Sequence, residues 1–202
     1  MVIKAVIFDL DGTITEPVLD FDRIRIEMGI PADGGDILDA IEKMGPDDRR
    51  QAQKVLDMHE QRAVEKSRLN PMARETIEAL RGKGIYIGIL TRNNRHNTLQ
   101  IERRHGLKFD AIVAREDGPV KPEPSGVLRL CKEFGLDAAE TMVVGDYLHD
   151  MLSAKAAGSV AVLLRTHKKA DAFAKYADFT IESLDKILEI IENGECRGVE
   201  VD

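Results

Sequence analysis

The first fourteen residues are Met1-Val2-Ile3-Lys4-Ala5-Val6-Ile7-Phe8-Asp9-Leu10-Asp11-Gly12-Thr13-Ile14. From Val2 to Phe8 there is one charge, Lys4, and five of the seven residues are β-branched or aromatic. Such a run suits a strand covered on both faces, the kind found inside a parallel sheet. Two acids one residue apart follow it. Desolvation and mutual repulsion both penalise carboxylates at the end of a buried strand. A bound cation would relieve that cost, and hard oxygen donors suit magnesium. Gly12 allows a tight turn or the close approach of another group. Taken alone, the pair also fits an ordinary turn or helix cap.

Outward from this stretch the chain changes character twice. Residues 15–67 hold little that reads as a strand. Phe21, Ile24 and Met28 fall on one side of a short helix, which Gly29, Pro31 and Gly34-Gly35 interrupt. Ile37, Ile41 and Met44 repeat at helical spacing. A long charged helix over 47–68 has the thin apolar stripe Ala52, Val55, Leu56, His59 and Ala63. Asn70-Pro71 then has the form of a helix start, with Asn70 as N-cap and Pro71 at the first helical position. Strand and helix alternate from there. Strands are expected over 85–90, 110–114, 141–145, 160–164 and 179–181. Gly158 is expected to close the helix before the fifth strand. The last helix would have Leu184, Ile187, Leu188 and Ile191 inward and Gly194 at its end. Repeated strand–helix units imply a parallel sheet with right-handed crossovers. The expected architecture is therefore α/β: a doubly wound parallel sheet from 1–14 and 68–202, with a helical segment, 15–67, inserted after the first strand.

Composition narrows the function classes. The 202 residues are 43% hydrophobic and 32% charged, ordinary for a soluble globular protein. No apolar run approaches the ~18 residues a membrane span needs. No basic flank or cleavage site of a secretory signal is visible, and Cys131 and Cys196 have no metal-type spacing. A net charge of −7 argues against nucleic acid as a main partner. We expect a cytoplasmic monomer or homodimer, with neither membrane nor nucleic acid among its partners.

Four strands end in chemically loaded residues: Asp9-Leu10-Asp11, then Thr91-Arg92-Asn93, then the loop Lys121-Pro122-Glu123-Pro124, then Gly145-Asp146 with Asp150 beyond. In a parallel sheet all four lie at one edge, where open α/β sheets bind ligands. Each has a bland reading as a cap or a solvated loop residue. Together they supply acids for a metal, and a hydroxyl and an ammonium for an anion.

This ordered set resembles the haloacid dehalogenase superfamily over residues 3 to about 190. The insertion point after the first motif is similar to that of its phosphoglycolate-phosphatase-like and β-phosphoglucomutase-like branch, which has a small helical cap. The resemblance implies a Rossmann-like core and a magnesium-dependent phosphatase acting on a small phosphorylated metabolite. It implies Asp9 as nucleophile and Asp11 as general acid and base. Magnesium would be held by Asp9, the Asp11 backbone carbonyl and Asp146, with Asp150, Gly12 and Asn93 in support. Thr91, Arg92 and Lys121 would bind the phosphoryl group. Dehalogenases of the superfamily lack an acid at the position of Asp11, so its presence favours phosphatase or phosphomutase. The mutases usually carry a histidine near the start of the cap, where this chain has Phe21-Asp22-Arg23-Ile24-Arg25. A phosphomutase and a non-catalytic binding protein of the same fold are the alternatives. Arg23 and Arg25 are candidates for substrate selection. His149, inside the fourth motif, is expected to face away from the site.

Overall fold

The computed structural model describes residues 2–31 and 35–193. Gly34, Gly194, Cys196 and the rest of the C-terminal tail lie outside the described residues. By its contacts the chain divides into two compact units, Met1–Pro17 with Arg68–Asp202, and Val18–Ser67.

The larger unit is built on a six-stranded parallel sheet. Its strands are β1 (Ala5–Phe8), β2 (Tyr86–Leu90), β3 (Ala111–Val113), β4 (Thr141–Gly145), β5 (Val160–Leu164) and β6 (Phe179–Ile181), in the spatial order β3-β2-β1-β4-β5-β6. All four residues of β1 are buried, as the unbroken apolar run required. The observed strand begins at Ala5, and Ile3 is buried ahead of it. Alternate residues of a strand face opposite ways. Ile7, Val143 and Leu163 face a core shared with Val127 and Leu130 of α6 (Ser125–Phe134) and Met151 of α7 (Leu148–Ala157). The helices of the larger unit ahead of α6 are α4 (Ala73–Gly82) and α5 (Arg95–Arg104). Beyond α7 come the short α8 (Ala170–Phe173) and α9 (Lys186–Asn193). Gly158, at φ 81°, closes α7 in the left-handed conformation that a glycine adopts at low cost. The strand order reverses between β1 and β4, which makes their carboxyl ends a topological switch point, where a crevice opens.

One local expectation fails and another holds in part. Asn70 does not cap α4 with its side chain. That helix begins at Ala73 after Met72, whose φ is 64°, and the Asn70 amide turns instead toward the loop after β1. In α9 the buried residues are Ile187 and Ile190, while Ile191 is only partly covered. Leu184 and Ile187 are buried as expected, Leu188 and Ile191 are partly buried, and Ile190 joins the inward face.

The smaller unit has three helices, α1 (Phe21–Glu27), α2 (Ile37–Glu42) and α3 (Pro46–Lys66). Ile24, Ile37, Ile41, Ala52 and Leu56 form its core. Asp20 and Asp36 cap α1 and α2 through their carboxylates. Phe21 is half exposed, so Ile24 alone is the buried residue of α1. His59 Nε2 lies 2.7 Å from Glu27 Oε2 and ties α3 to α1. Among the described residues no helix is long and apolar enough to cross a membrane.

Candidate active site

Leaving β1, the chain makes a tight turn. Asp9 N–H still donates to Val144 O of β4 at 2.9 Å, so Asp9 is held as though it continued the sheet. Leu10 O then accepts from Ile14 N–H at 3.0 Å and from Thr15 N–H at 2.9 Å. Gly12 sits at φ 93°, and a Cβ there would come within 2.6 Å of Asp146 Oδ2. Both the backbone conformation and the contact demand glycine. Thr13 Oγ1 donates to Asp146 Oδ1 at 3.2 Å, so the turn after β1 directly backs the carboxylate that follows β4.

Lys121 reaches this place from the loop before α6 and is 3% exposed. Its ammonium donates to Asp9 Oδ1 at 2.6 Å and to Asp150 Oδ1 at 2.5 Å. Asp150 is also fixed by its own helix, because its Oδ2 accepts from Tyr147 N–H at 3.1 Å. Gly145 leaves it room: a Cβ on Gly145 would lie 2.2 Å from Asp150 Cγ. Carboxylate oxygens of Asp9, Asp146 and Asp150 fall within 4.8 Å of one another. The donors are all oxygen and all anionic, a set that suits a hard divalent cation.

Electrostatics carry the same message. Burial pushes Asp9 up to about 7 against the pull of Lys121, with Asp150 adding repulsion. Burial raises Asp146 to about 8, and Asp9 and Asp150 add to the rise. Lys121 behaves in the opposite way. Burial alone would lower it, but Asp150 and Asp9 outweigh that and hold it above the usual lysine range, charged at any working pH. Unfolded, both aspartates titrate near ~3.9. Above that pH and up to their folded values, the native state therefore binds more protons than the unfolded chain. Their contribution to stability is present in acid and is lost as pH rises through about 7 and about 8. A divalent cation bound by these acids would take the place of those protons. The increase in Tm on adding magnesium is therefore expected to be larger at roughly pH 8 than at roughly pH 6. Thermal melts with magnesium and with EDTA at both pH values would check this, and equal shifts would remove the three acids as the binding site.

Asp11 has a different environment. Its Oδ2 accepts from Asn93 Nδ2 at 2.9 Å, and its carboxyl is raised by burial against that bond and the charge of Lys121. Thr91, at the end of β2, is buried, and its Oγ1 accepts from Asn93 N–H at 3.0 Å. Arg92 lies on the same edge, with its Nη1 2.5 Å from His149 Nδ1. His149 thus turns toward the loop after β2, contrary to the expectation that it faces away; the first turn of α7 packs beside that loop. The larger unit gathers Asp9, Asp11, Gly12, Thr91, Arg92, Asn93, Lys121, Asp146 and Asp150 at one sheet edge. Arg23 and Arg25 belong to the smaller unit, where Arg23 pairs with Glu27 at 2.8 Å and Arg25 with Asp22 at 3.1 Å and with Gly35 O.

A sequence profile of haloacid dehalogenase-like hydrolases matches residues 3–158. The chain belongs to that family. A haloacid dehalogenase-like hydrolase domain-containing protein of Arabidopsis thaliana is 31% identical over 94% of this chain and 84% of its own length. A phosphoglycolate phosphatase of Chromobacterium violaceum is 25% identical over 95% of this chain and 98% of its own. Among solved structures, a haloacid dehalogenase-type phosphatase from Thermococcus onnurineus superposes with a TM-score of 0.69 at 29% identity, covering 94% of this chain and 98% of that one. This haloacid dehalogenase-like hydrolase thus shares its fold with a solved structure named as a phosphatase.

Proposed function

We propose that the protein is a magnesium-dependent phosphatase that hydrolyses a small phosphomonoester through a phosphorylated Asp9. The observation that carries this reading is the separation of the two acids of the first motif. Asp9 lies against Lys121 in the acidic cluster, while the Asp11 carboxyl is turned to Asn93. Two carboxyls in unlike surroundings suit two roles. Asp9, in the charged cluster, attacks phosphorus, and the bond from phosphorus to the ester oxygen breaks. Asp11, whose pKa is raised, gives the departing oxygen its proton. A water then attacks the phosphorus on Asp9 and loses a proton to Asp11. The Asp9 carboxylate is restored and inorganic phosphate leaves. Lys121 keeps Asp9 oriented and offsets the charge of the phosphoryl oxygens, and Thr91 and Arg92 complete the phosphoryl site. Asp9, Asp146 and the Asp11 carbonyl would hold magnesium, with Asp150 behind them; when bound, it supplies charge neutralisation between an anionic nucleophile and an anionic phosphate. Relatives named phosphoglycolate phosphatase and pyrophosphatase favour a compact, highly charged substrate. The smaller unit, as a helical cap, would choose among such compounds.

Incubation with a panel of phosphorylated metabolites is expected to release inorganic phosphate with magnesium and none with EDTA. Isomerised sugar phosphate in place of free phosphate would point to a mutase. Silence across the panel in magnesium would overturn the proposal.

A further inference from the structure

Asn70 has the form of a helix cap in the sequence, yet its side chain does something else. Residues 14–16 and 68–70 run side by side, joined by Glu16 N–H to Arg68 O and by Asn70 N–H to Ile14 O, both at 2.9 Å. This places Asn70 against the turn after β1, where it is 7% exposed. Its Nδ2 lies 3.0 Å from Gly12 O, 2.8 Å from Thr13 O and 3.1 Å from Thr15 O. Three carbonyl oxygens around one atom define the amide orientation, since only the NH2 end donates. Gly12 O accepts a second bond, from Thr166 Oγ1 at 2.8 Å.

The consequence runs through one peptide plane. Thr15 O, held by Asn70, accepts from Gly12 N–H at 2.9 Å. Gly12 N–H and the Asp11 carbonyl belong to the same planar trans peptide and point in opposite directions. Aiming the N–H at Thr15 therefore aims the Asp11 carbonyl away from it. The Thr13 carbonyl, also held by Asn70, belongs to the residue whose hydroxyl donates to Asp146. We propose that Asn70 is a positioning residue for the metal site, orienting the Asp11 carbonyl and, through Thr13, the Asp146 carboxylate. This rests on the reading of the site given above. None of the three bonds reaches α4: all run to carbonyls of the turn after β1.

The test is magnesium binding by calorimetry on the full chain without substrate, alongside thermal melts and steady-state kinetics. Loss of a group that orients a metal ligand typically weakens affinity by about 10–100-fold. Asn70→Ala is expected to lose magnesium affinity in that range and to recover turnover as magnesium is raised, with little change in KM at saturating metal. Asn70→Ser keeps one donor at most and disturbs the fold less. It is expected to show the same loss in weaker form, and it decides the matter if the alanine variant does not fold. Native magnesium affinity in a folded variant, with only a lowered Tm, would make Asn70 structural and overturn the inference. If the native chain binds no magnesium, or Asp146→Asn leaves binding unchanged, the metal site itself is misread and the role of Asn70 falls with it.

Discussion

Asp9→Asn is expected to abolish turnover while the fold persists. The amide cannot form the covalent intermediate, and loss of a nucleophile in a concerted site commonly costs well over about 10³-fold in kcat. The fold should not suffer, because the substitution removes one of several crowded carboxylates. Asp9 raises Asp146 by its repulsion, and burial holds Asp9 itself at about 7, so the native state gains little from an acid there. Melting temperature measured without metal is therefore expected to stay level or rise. Phosphate release by purified Asp9→Asn within about tenfold of the native rate would remove Asp9 as the nucleophile and the proposed reaction with it.

Lys121→Met, by contrast, is expected to damage stability as well as rate. The side chain is buried and donates to two carboxylates that are themselves nearly buried. Taking one partner from such a cluster leaves charge uncompensated, at a cost of about 3–5 kcal/mol. The acids can limit that cost by holding protons more tightly. Asp9 loses the cation that pulls its pKa down, so its titration moves to higher pH. Two readouts follow. The Tm without metal drops, and the acidic limb of the pH–rate profile moves to higher pH. At the optimum, kcat is expected to fall by about 10²–10³-fold, the usual effect of losing a preorganised group that faces developing charge. A variant with native kcat and an unmoved acidic limb would take Lys121 out of the reaction.

How much of this was legible beforehand differs by the range of the interaction. The buried run before Asp9 announces a central strand, and β1 is the third strand of six with partners on both sides. The four loaded strand ends are readable because parallel topology alone sends them to one edge. Contacts that depend on tertiary detail are not readable. Asn70 before Pro71 carries the local signature of a cap, and nothing nearby in sequence reveals three carbonyls more than fifty residues earlier. His149 sits one residue from Asp150 on a helix whose rotation was unknown, so its meeting with Arg92 had no sequence signal. Glu60, a buried acid four residues after Leu56 and three before Ala63, shares the inward stripe of α3, where its acidic character alone would leave it in solvent.

The neighbouring placement of β1 and β4 bears on how the molecule is made. Val6 pairs with Met142, and Ile7 with Val143. Such pairings close a very long loop, the kind of contact that forms late and slows folding. During synthesis Asp9 leaves the ribosome long before Asp146 and Asp150, which lie far downstream in the chain. Until β4 docks, no fragment holds the acidic trio together, and a nascent chain would have neither the proposed magnesium site nor the proposed nucleophile poised. Completion of the proposed metal site would thus follow the docking of β4 on β1 rather than seed it.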